Sequence, residues 1–164
     1  LNDFKVFVED DIKFMKKALI EAKKAYKRQE VPVGAVLVLN SQIIARGYNQ
    51  TEGRSDPTQH AEIICLQKAS RKLKNWRLLQ ATLYSTLEPC SMCAGALLQA
   101  RVARLVWGAP DKRCGANGSF VNLFSLKHPF HQIMITSGIL EQECSEIMIH
   151  FFKQRREERD GKCF

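Results

Sequence analysis

The segment Val33 to Leu39 contains GAVLVL, a run with no polar residue at either phase of a two-residue alternation. A strand with one face in water alternates apolar and polar side chains. A strand apolar at every position must be covered on both faces. This one segment therefore predicts a central strand with layers of structure above and below it, and the remaining chain has to supply them.

The flanking patterns do so. Ile12, Met15, Leu19, Ala22 and Tyr26 recur at three- and four-residue steps and predict a helix that buries that stripe. Asn40-Ser41 reads as a hairpin turn into a second strand, Gln42 to Tyr48. The polar stretch Asn49 to Gln59 reads as a loop. A helix over His60 to Leu73, a strand over Ala81 to Leu87, a helix over Ser91 to Arg101 and a strand over Val102 to Trp107 follow. Pro110 to Ser119 reads as a loop and Phe120 to Leu126 as a short helix. A strand over Gln132 to Thr136 and a terminal helix over Glu141 to Arg159 complete the order. Such alternation implies an α/β fold in three layers, α/β/α, with a mixed five-stranded sheet: an antiparallel hairpin first, then strands joined by crossover helices and running parallel.

Nothing in the 164 residues reads as a repeat, a low-complexity tract or a linker, so a single domain is expected, with its core at about residues 10–156 and a basic helix and tail to 164. No apolar run reaches the roughly 20 residues of a membrane helix. The first ten residues carry acids and do not resemble a secretory signal. A cytoplasmic setting without membrane association is the expectation. In it, the six cysteines are free thiols or metal ligands rather than disulfides. The formal net charge of +8 favours a polyanionic partner, nucleic acid above all, over an acidic one. Lys153, Arg155, Arg156 and Arg159 are interleaved with Glu157, Glu158 and Asp160, the pattern of a solvated helix face that can also touch phosphate.

Chemistry concentrates at two helix starts. One is His60-Ala61-Glu62; the other is Pro89-Cys90-Ser91-Met92-Cys93. Thiols at a helix N-terminus feel its partial positive charge, which favours the thiolate that binds zinc. Cys90 and Cys93 make half a site, and no second CxxC completes it. The third ligand is then a histidine, with a fourth position left for water. His128 and His131 flank Pro129 in an apparent loop, and His150 lies in the terminal helix; only His60 has a carboxylate beside it at a helix start. Within a regular helix His60 and Glu62 would point about 200° apart. They can face one site only if it lies beyond the helix end. Two thiolates and a neutral imidazole balance the charge of Zn2+, which acidifies water. Glu62, not a ligand, can then carry that water's proton. A redox pair or a purely structural zinc would leave Glu62 without a role.

These motifs resemble the H-x-E…P-C-x-x-C signature of the cytidine/deoxycytidylate deaminase superfamily. The similarity extends to the bacterial tRNA-specific adenosine deaminase family. It is carried by Glu30 to Val36 (EVPVGAV), Gly47-Tyr48-Asn49, Asp56 to Ile63, Ala81 to Tyr84 and Thr86 to Ala96 (TLEPCSMCAGA). Gly115 to Ser119, Gly138 to Leu140 and Glu143-Cys144 add to it. The resemblance implies a cytidine-deaminase-like fold and a homodimer with one Zn2+ per subunit. It implies conversion of adenosine to inosine at the wobble position of a tRNA anticodon stem-loop. His60, Cys90 and Cys93 would hold zinc, Glu62 would shuttle the proton, and Asn49 and Asp111 would contact the substrate. Pro110 to Cys114 departs from the family's usual run. Deamination of a free cytosine- or guanine-type base or nucleotide on the same zinc core is the alternative. Cys65 and Cys144 read as core residues, Cys163 as part of a frayed tail, and Trp76 and Trp107 as packing residues.

Overall fold

The computed structural model describes residues 2–160, with side chains from residue 8. Its elements are α1 (Asn2–Lys27), β1 (Gly34–Leu39), β2 (Gln42–Tyr48), α2 (Thr51–Arg54), α3 (Ala61–Leu73), β3 (Thr82–Leu87), α4 (Ser91–Gln99), β4 (Arg104–Ala109), β5 (Met134–Ser137) and α5 (Glu141–Asp160). The five strands form one sheet in the order β2-β1-β3-β4-β5. β1 runs antiparallel to both β2 and β3, while β3, β4 and β5 run parallel. The mixed three-layer sheet expected from the strand and helix order is therefore present.

Alternation along β1 builds both layers. Ala35 and Leu37 join Leu83, Leu105 and Trp107 in a core with Ala61, Cys65, Ala69 and Leu97 of α3 and α4. Val36 and Val38 join Tyr84 and Val106 on the opposite face with Phe14, Met15 and Ala18 of α1 and Cys144 of α5. The apolar run of β1 is thus half spent on each helical layer. Among the described residues no helix is long and apolar enough to cross a membrane.

Four local expectations need correction. The buried face of α1 is turned from the predicted stripe: Asp11, Phe14, Met15, Ala18, Ala22 and Ala25 are buried, whereas Ile12, Leu19 and Tyr26 lie at its edge. The cause is close approach. A Cβ on Gly34 would stand 2.1 Å from the Ala18 carbonyl oxygen and 2.2 Å from the Ala22 nitrogen. The helix backbone rests on β1, and small residues occupy the contact. Tyr26 instead packs edge-on against Phe151 of α5 and donates to Gln154.

Residues 120–126 form no helix. Their backbone groups are taken by the preceding loop: Phe120 and Val121 both donate to the Gly115 carbonyl, and Leu123 donates to that of Ala116. The predicted loop after β2 contains the one-turn helix α2. Trp107 packs as expected, but Trp76 is 52% exposed in the turn after α3, with the Arg77 and Arg101 guanidinium groups 4.3 and 5.6 Å from its ring. Cys65 and Cys144 are buried as expected. Cys163 lies outside the described residues.

The topology also fixes where a site can form. β2, β3 and β4 point the same way, so Asn49, Glu88 and the loop from Pro110 leave the sheet at one edge. The antiparallel β1 begins at that edge. Crevices outside the carboxyl ends of strands, where strand direction changes, are where α/β sheets take ligands.

Candidate active site

His60 is the N-cap of α3, with extended backbone angles (φ −78°, ψ 152°). Cys90 is the N-cap of α4, also extended (φ −72°, ψ 172°). This resolves the angular problem posed by His60 and Glu62. A cap residue is outside the helical wheel, so its side chain turns back across the helix end while Glu62 points inward from the first turn. His60 Nδ1 lies 3.6 Å from Cys90 Sγ and 3.5 Å from Cys93 Sγ. The three ligand atoms fall within 4.8 Å of one another, and among the described residues no other histidine, cysteine or acidic cluster could hold a metal. His131 bonds through Nε2 to the Val102 carbonyl, and His128 stacks edge-on against Phe130, both away from this point.

The donor set fits zinc. Zn–N of about 2.0–2.1 Å and Zn–S of about 2.3 Å at tetrahedral angles put nitrogen and sulfur about 3.6 Å apart. The two observed separations match that edge. The Cys90 sulfur is prepared as well. Cys90 is pulled down to about 4, first by the hydrogen bond from the Cys93 thiol and then by His60, against the opposing effect of burial. The same hydrogen bond with Cys90, together with burial, raises Cys93. Its bond to Cys90 raises His60 above the ordinary histidine value. The trio shares protons that a divalent cation would displace.

Glu62 is 3% exposed. Its Oε1 receives a long hydrogen bond, 3.4 Å, from the Ser85 hydroxyl. Its Oε2 is the one buried side-chain oxygen or nitrogen without a partner among the described residues. Native proteins seldom leave such an atom unpaired, and an unpaired one marks a place for water or ligand. Burial raises the Glu62 carboxyl above the usual range, offset in part by a backbone hydrogen bond and the charge of His60. A carboxyl raised in this way suits a group that must both take and give a proton.

These groups open into a cavity of about 400 Å³ whose wall includes Asn49, His60, Glu62, Glu88, Cys90 and Asp111. Asn49 is buried, and its Oδ1 accepts the Ala61 N–H at 2.9 Å. The bond closes the start of α3 and fixes the amide on the cavity wall. Asp111 lies on the cavity wall, and its Oδ1 accepts the Arg113 and Cys114 N–H groups and so shapes its own turn. Three residues at the site were given no role by sequence: Ser85, buried against Glu62, and the wall residues Glu88 and Glu30, whose carboxylate accepts the Glu52 and Gly53 N–H groups of α2 at 3.1 and 2.7 Å. Glu88 left a trace, a charge directly continuing the strand predicted over Ala81 to Leu87. Glu30 opens one of the stretches that carry the family resemblance but was given no role, and Ser85 left no trace.

A family model, MafB19-like deaminase, matches residues 9–156. The chain is 54% identical to the chloroplastic tRNA(adenine(34)) deaminase of Arabidopsis thaliana over 87% of its own length, which is only 12% of that much longer protein. It is 49% identical to the tRNA-specific adenosine deaminase of Haemophilus influenzae, covering 94% of this chain and 90% of the relative. A solved structure from a study of A-to-I editing by tRNA:A34 deaminases superposes with a TM-score of 0.79 at 48% identity, over 82% of this chain and 97% of that one. The guanine deaminase of Nitrosomonas europaea superposes at 0.74 with 22% identity, over 84% of this chain and 82% of that one, a likeness of fold alone. The chain therefore belongs to the deaminases, as a member of the MafB19-like deaminase family and, within it, of the tRNA-specific adenosine deaminase family of enzymes.

Proposed function

We propose that this chain deaminates adenosine to inosine at the wobble position of a tRNA anticodon loop, with one zinc held by His60, Cys90 and Cys93. The observation that carries the chemistry is the open Oε2 of buried Glu62 beside that ligand triangle. The relatives' activity supports the choice of substrate, and the net charge of +8 suits RNA.

When bound, zinc supplies the Lewis acidity that makes a water nucleophilic near neutral pH. The chain's own residues do the rest. Glu62 Oε2 takes the proton from the attacking water, and the same carboxyl then gives a proton to the ring nitrogen next to the amino-bearing carbon. Glu62 then takes the remaining proton of the added hydroxyl and passes it to the amino nitrogen, so that the C–N bond breaks, a C=O bond forms and ammonia leaves. Ser85 steadies the other carboxylate oxygen, and its long bond leaves Glu62 room to change protonation state. Asn49, with Oδ1 tied to Ala61, presents only a donor, so it selects a base with an acceptor at that point. Asp111 meets the substrate at the cavity wall. A base must leave its stack to enter, and an anticodon loop makes that extrusion less costly than a duplex would.

The reading takes residues 1–164 as one deaminase domain, cytoplasmic, working as a homodimer. Support for a second copy comes from the apolar ground around exposed Trp76, where Leu66, Ala96 and Ala100 line a shallow cavity of about 510 Å³ between α3 and α4. Sedimentation of the wild type and of Trp76→Glu tests this: a dimer that dissociates in the variant supports it, and a monomeric wild type refutes it. The substrate test is incubation of the zinc-loaded protein with anticodon stem-loops bearing A or C at the wobble position, beside free cytosine and guanine. Inosine from the A stem-loop is expected. Turnover of a free base without any inosine overturns the RNA substrate.

A further inference from the structure

Two buried glutamates face the same cavity with opposite hydrogen-bond states. Glu62 keeps one oxygen open. Glu88, 1% exposed, keeps none. Its Oε1 accepts the Asn117 N–H at 2.8 Å and the Ser119 N–H at 3.2 Å. Its Oε2 accepts the Asp111 N–H at 3.1 Å and the Ser119 hydroxyl. A carboxylate so saturated is badly placed to move protons, and the proposed mechanism gives it no step. Its donors, however, all come from one segment, residues 111–119, which carries Asp111 and Cys114 on the cavity wall.

That segment is ordered by scattered turn and loop bonds rather than by an element of its own. It contains no regular helix or strand, only isolated bridges such as the one joining Cys90 to Gly115. The loop wraps the carboxylate so closely that a Cβ on Gly115 would lie 2.4 Å from both Cδ and Oε2 of Glu88. Two further bonds tie the middle of the wrap to its neighbours. Ala116 N–H donates to the Pro89 carbonyl at 2.8 Å, and Trp107 Nε1 donates to Asn117 Oδ1 at 2.9 Å. The buried charge thus takes the place of a missing strand partner: four convergent donors set the loop's path.

We propose that Glu88 is the positioning residue of the deamination site, holding the 111–119 loop against the cavity so that Asp111 stands where the substrate enters. The inference rests on the deaminase reading above. It assigns Glu88 to substrate capture, separately from the metal and the proton shuttle. Glu88→Gln keeps the shape but turns an N–H2 toward backbone donors, so at least one charge-assisted bond is lost and one donor faces another. Ser119→Ala removes one donor and keeps the carboxylate, a gentler change in the same direction.

The experiment compares zinc-loaded wild type, Glu88→Gln and Ser119→Ala by zinc content, by amide hydrogen exchange of the 111–119 segment, and by kcat and KM on the A stem-loop. Expected are wild-type zinc, exchange faster by about tenfold, and KM raised about tenfold in Glu88→Gln with kcat within about twofold, the scale of one lost charge-assisted bond. Ser119→Ala shifts exchange and KM the same way by less, and it alone decides the matter if Glu88→Gln does not fold. Faster exchange with unchanged KM overturns the proposal, because the loop would then be loosened without consequence for binding. Unchanged exchange overturns it too. So does a kinetic loss that excess zinc repairs, which would make Glu88 a support of the metal site. A wild type inactive on the stem-loop refutes the RNA substrate instead, and the KM comparison then moves to the free base it does turn over.

Discussion

Gly47→Ala tests how tightly packing at the sheet edge controls the site. Gly47 lies in β2, and a Cβ there would stand 2.4 Å from the carbonyl oxygen of Ala61, with Cys65 Sγ and Ile64 Cβ at 3.2 Å. Ordinary contact begins near 3.4 Å, so the start of α3 must retreat by about 1 Å. Ala61 sits between His60 and Glu62, so the retreat moves both a proposed zinc ligand and the proposed proton carrier. Overpacking a well-filled core costs about 1–3 kcal/mol. For a chain of this size each kcal/mol lowers Tm by about 2–4 °C, giving a fall of roughly 2–12 °C. The functional cost is larger, because a misplacement of about 1 Å can lower a rate about 100-fold. Differential scanning calorimetry, zinc stoichiometry and the rate of ammonia release read the three effects. Gly95→Ala is the control: it lies in α4 with nothing within 4 Å of its would-be Cβ, and gains about 0.5–1 kcal/mol from helix propensity. A Gly47→Ala protein with wild-type Tm, zinc content and rate would refute the close packing of β2 on α3.

Asn49→Ala removes the acceptor of the buried Ala61 N–H and the side chain proposed to meet the substrate; it should cost about 1–3 kcal/mol in stability and raise KM, whereas a change in KM alone would deny the capping role. Asp11→Ala strips a buried carboxylate that accepts both guanidinium nitrogens of Arg104, at 2.8 and 2.6 Å, and the Tyr84 hydroxyl at 2.9 Å. A loss of about 3–5 kcal/mol in urea unfolding is expected there, and less than about 1 kcal/mol would mean the network contributes little. Alkylation of the zinc-loaded native protein at pH 8, mapped by mass spectrometry, should modify exposed Cys114 well before Cys65 and Cys144. Burial pushes the Cys144 thiol up to about 12 and raises Cys65 also, so both hold little thiolate at that pH; modification of either at the rate of Cys114 would contradict the packing.

The sequence carried the layers and the chemistry because both depend on local pattern. The GAVLVL run demanded cover on two faces, and β1 divides its side chains between two cores as that demand implies. His60, Glu62, Cys90 and Cys93 were legible as types and spacings at two helix starts. What was hidden depends on backbone groups that every residue shares. Glu88 is satisfied mainly by main-chain N–H groups more than 20 residues away, so no spacing rule points to it. The tie from Asn49 to Ala61 is a side chain meeting a main-chain donor, and it needs the fold. The α1 stripe was misplaced because close contact with Gly34 selects for smallness on the buried face, which hydrophobicity alone ranks below Ile12 and Leu19. The helix expected over 120–126 lost to carbonyls supplied by a neighbouring loop.

In the proposed reaction one zinc and the free carboxylate oxygen of Glu62 together perform the deamination. It is tested most directly by measuring inosine formation and zinc content together in wild type and Glu62→Gln on the A stem-loop. Equal zinc in both proteins, with inosine formed by the wild type and slowed about 10²–10⁴-fold or more in the variant, is the expected result. Inosine formed by Glu62→Gln at the wild-type rate with zinc in place would contradict it.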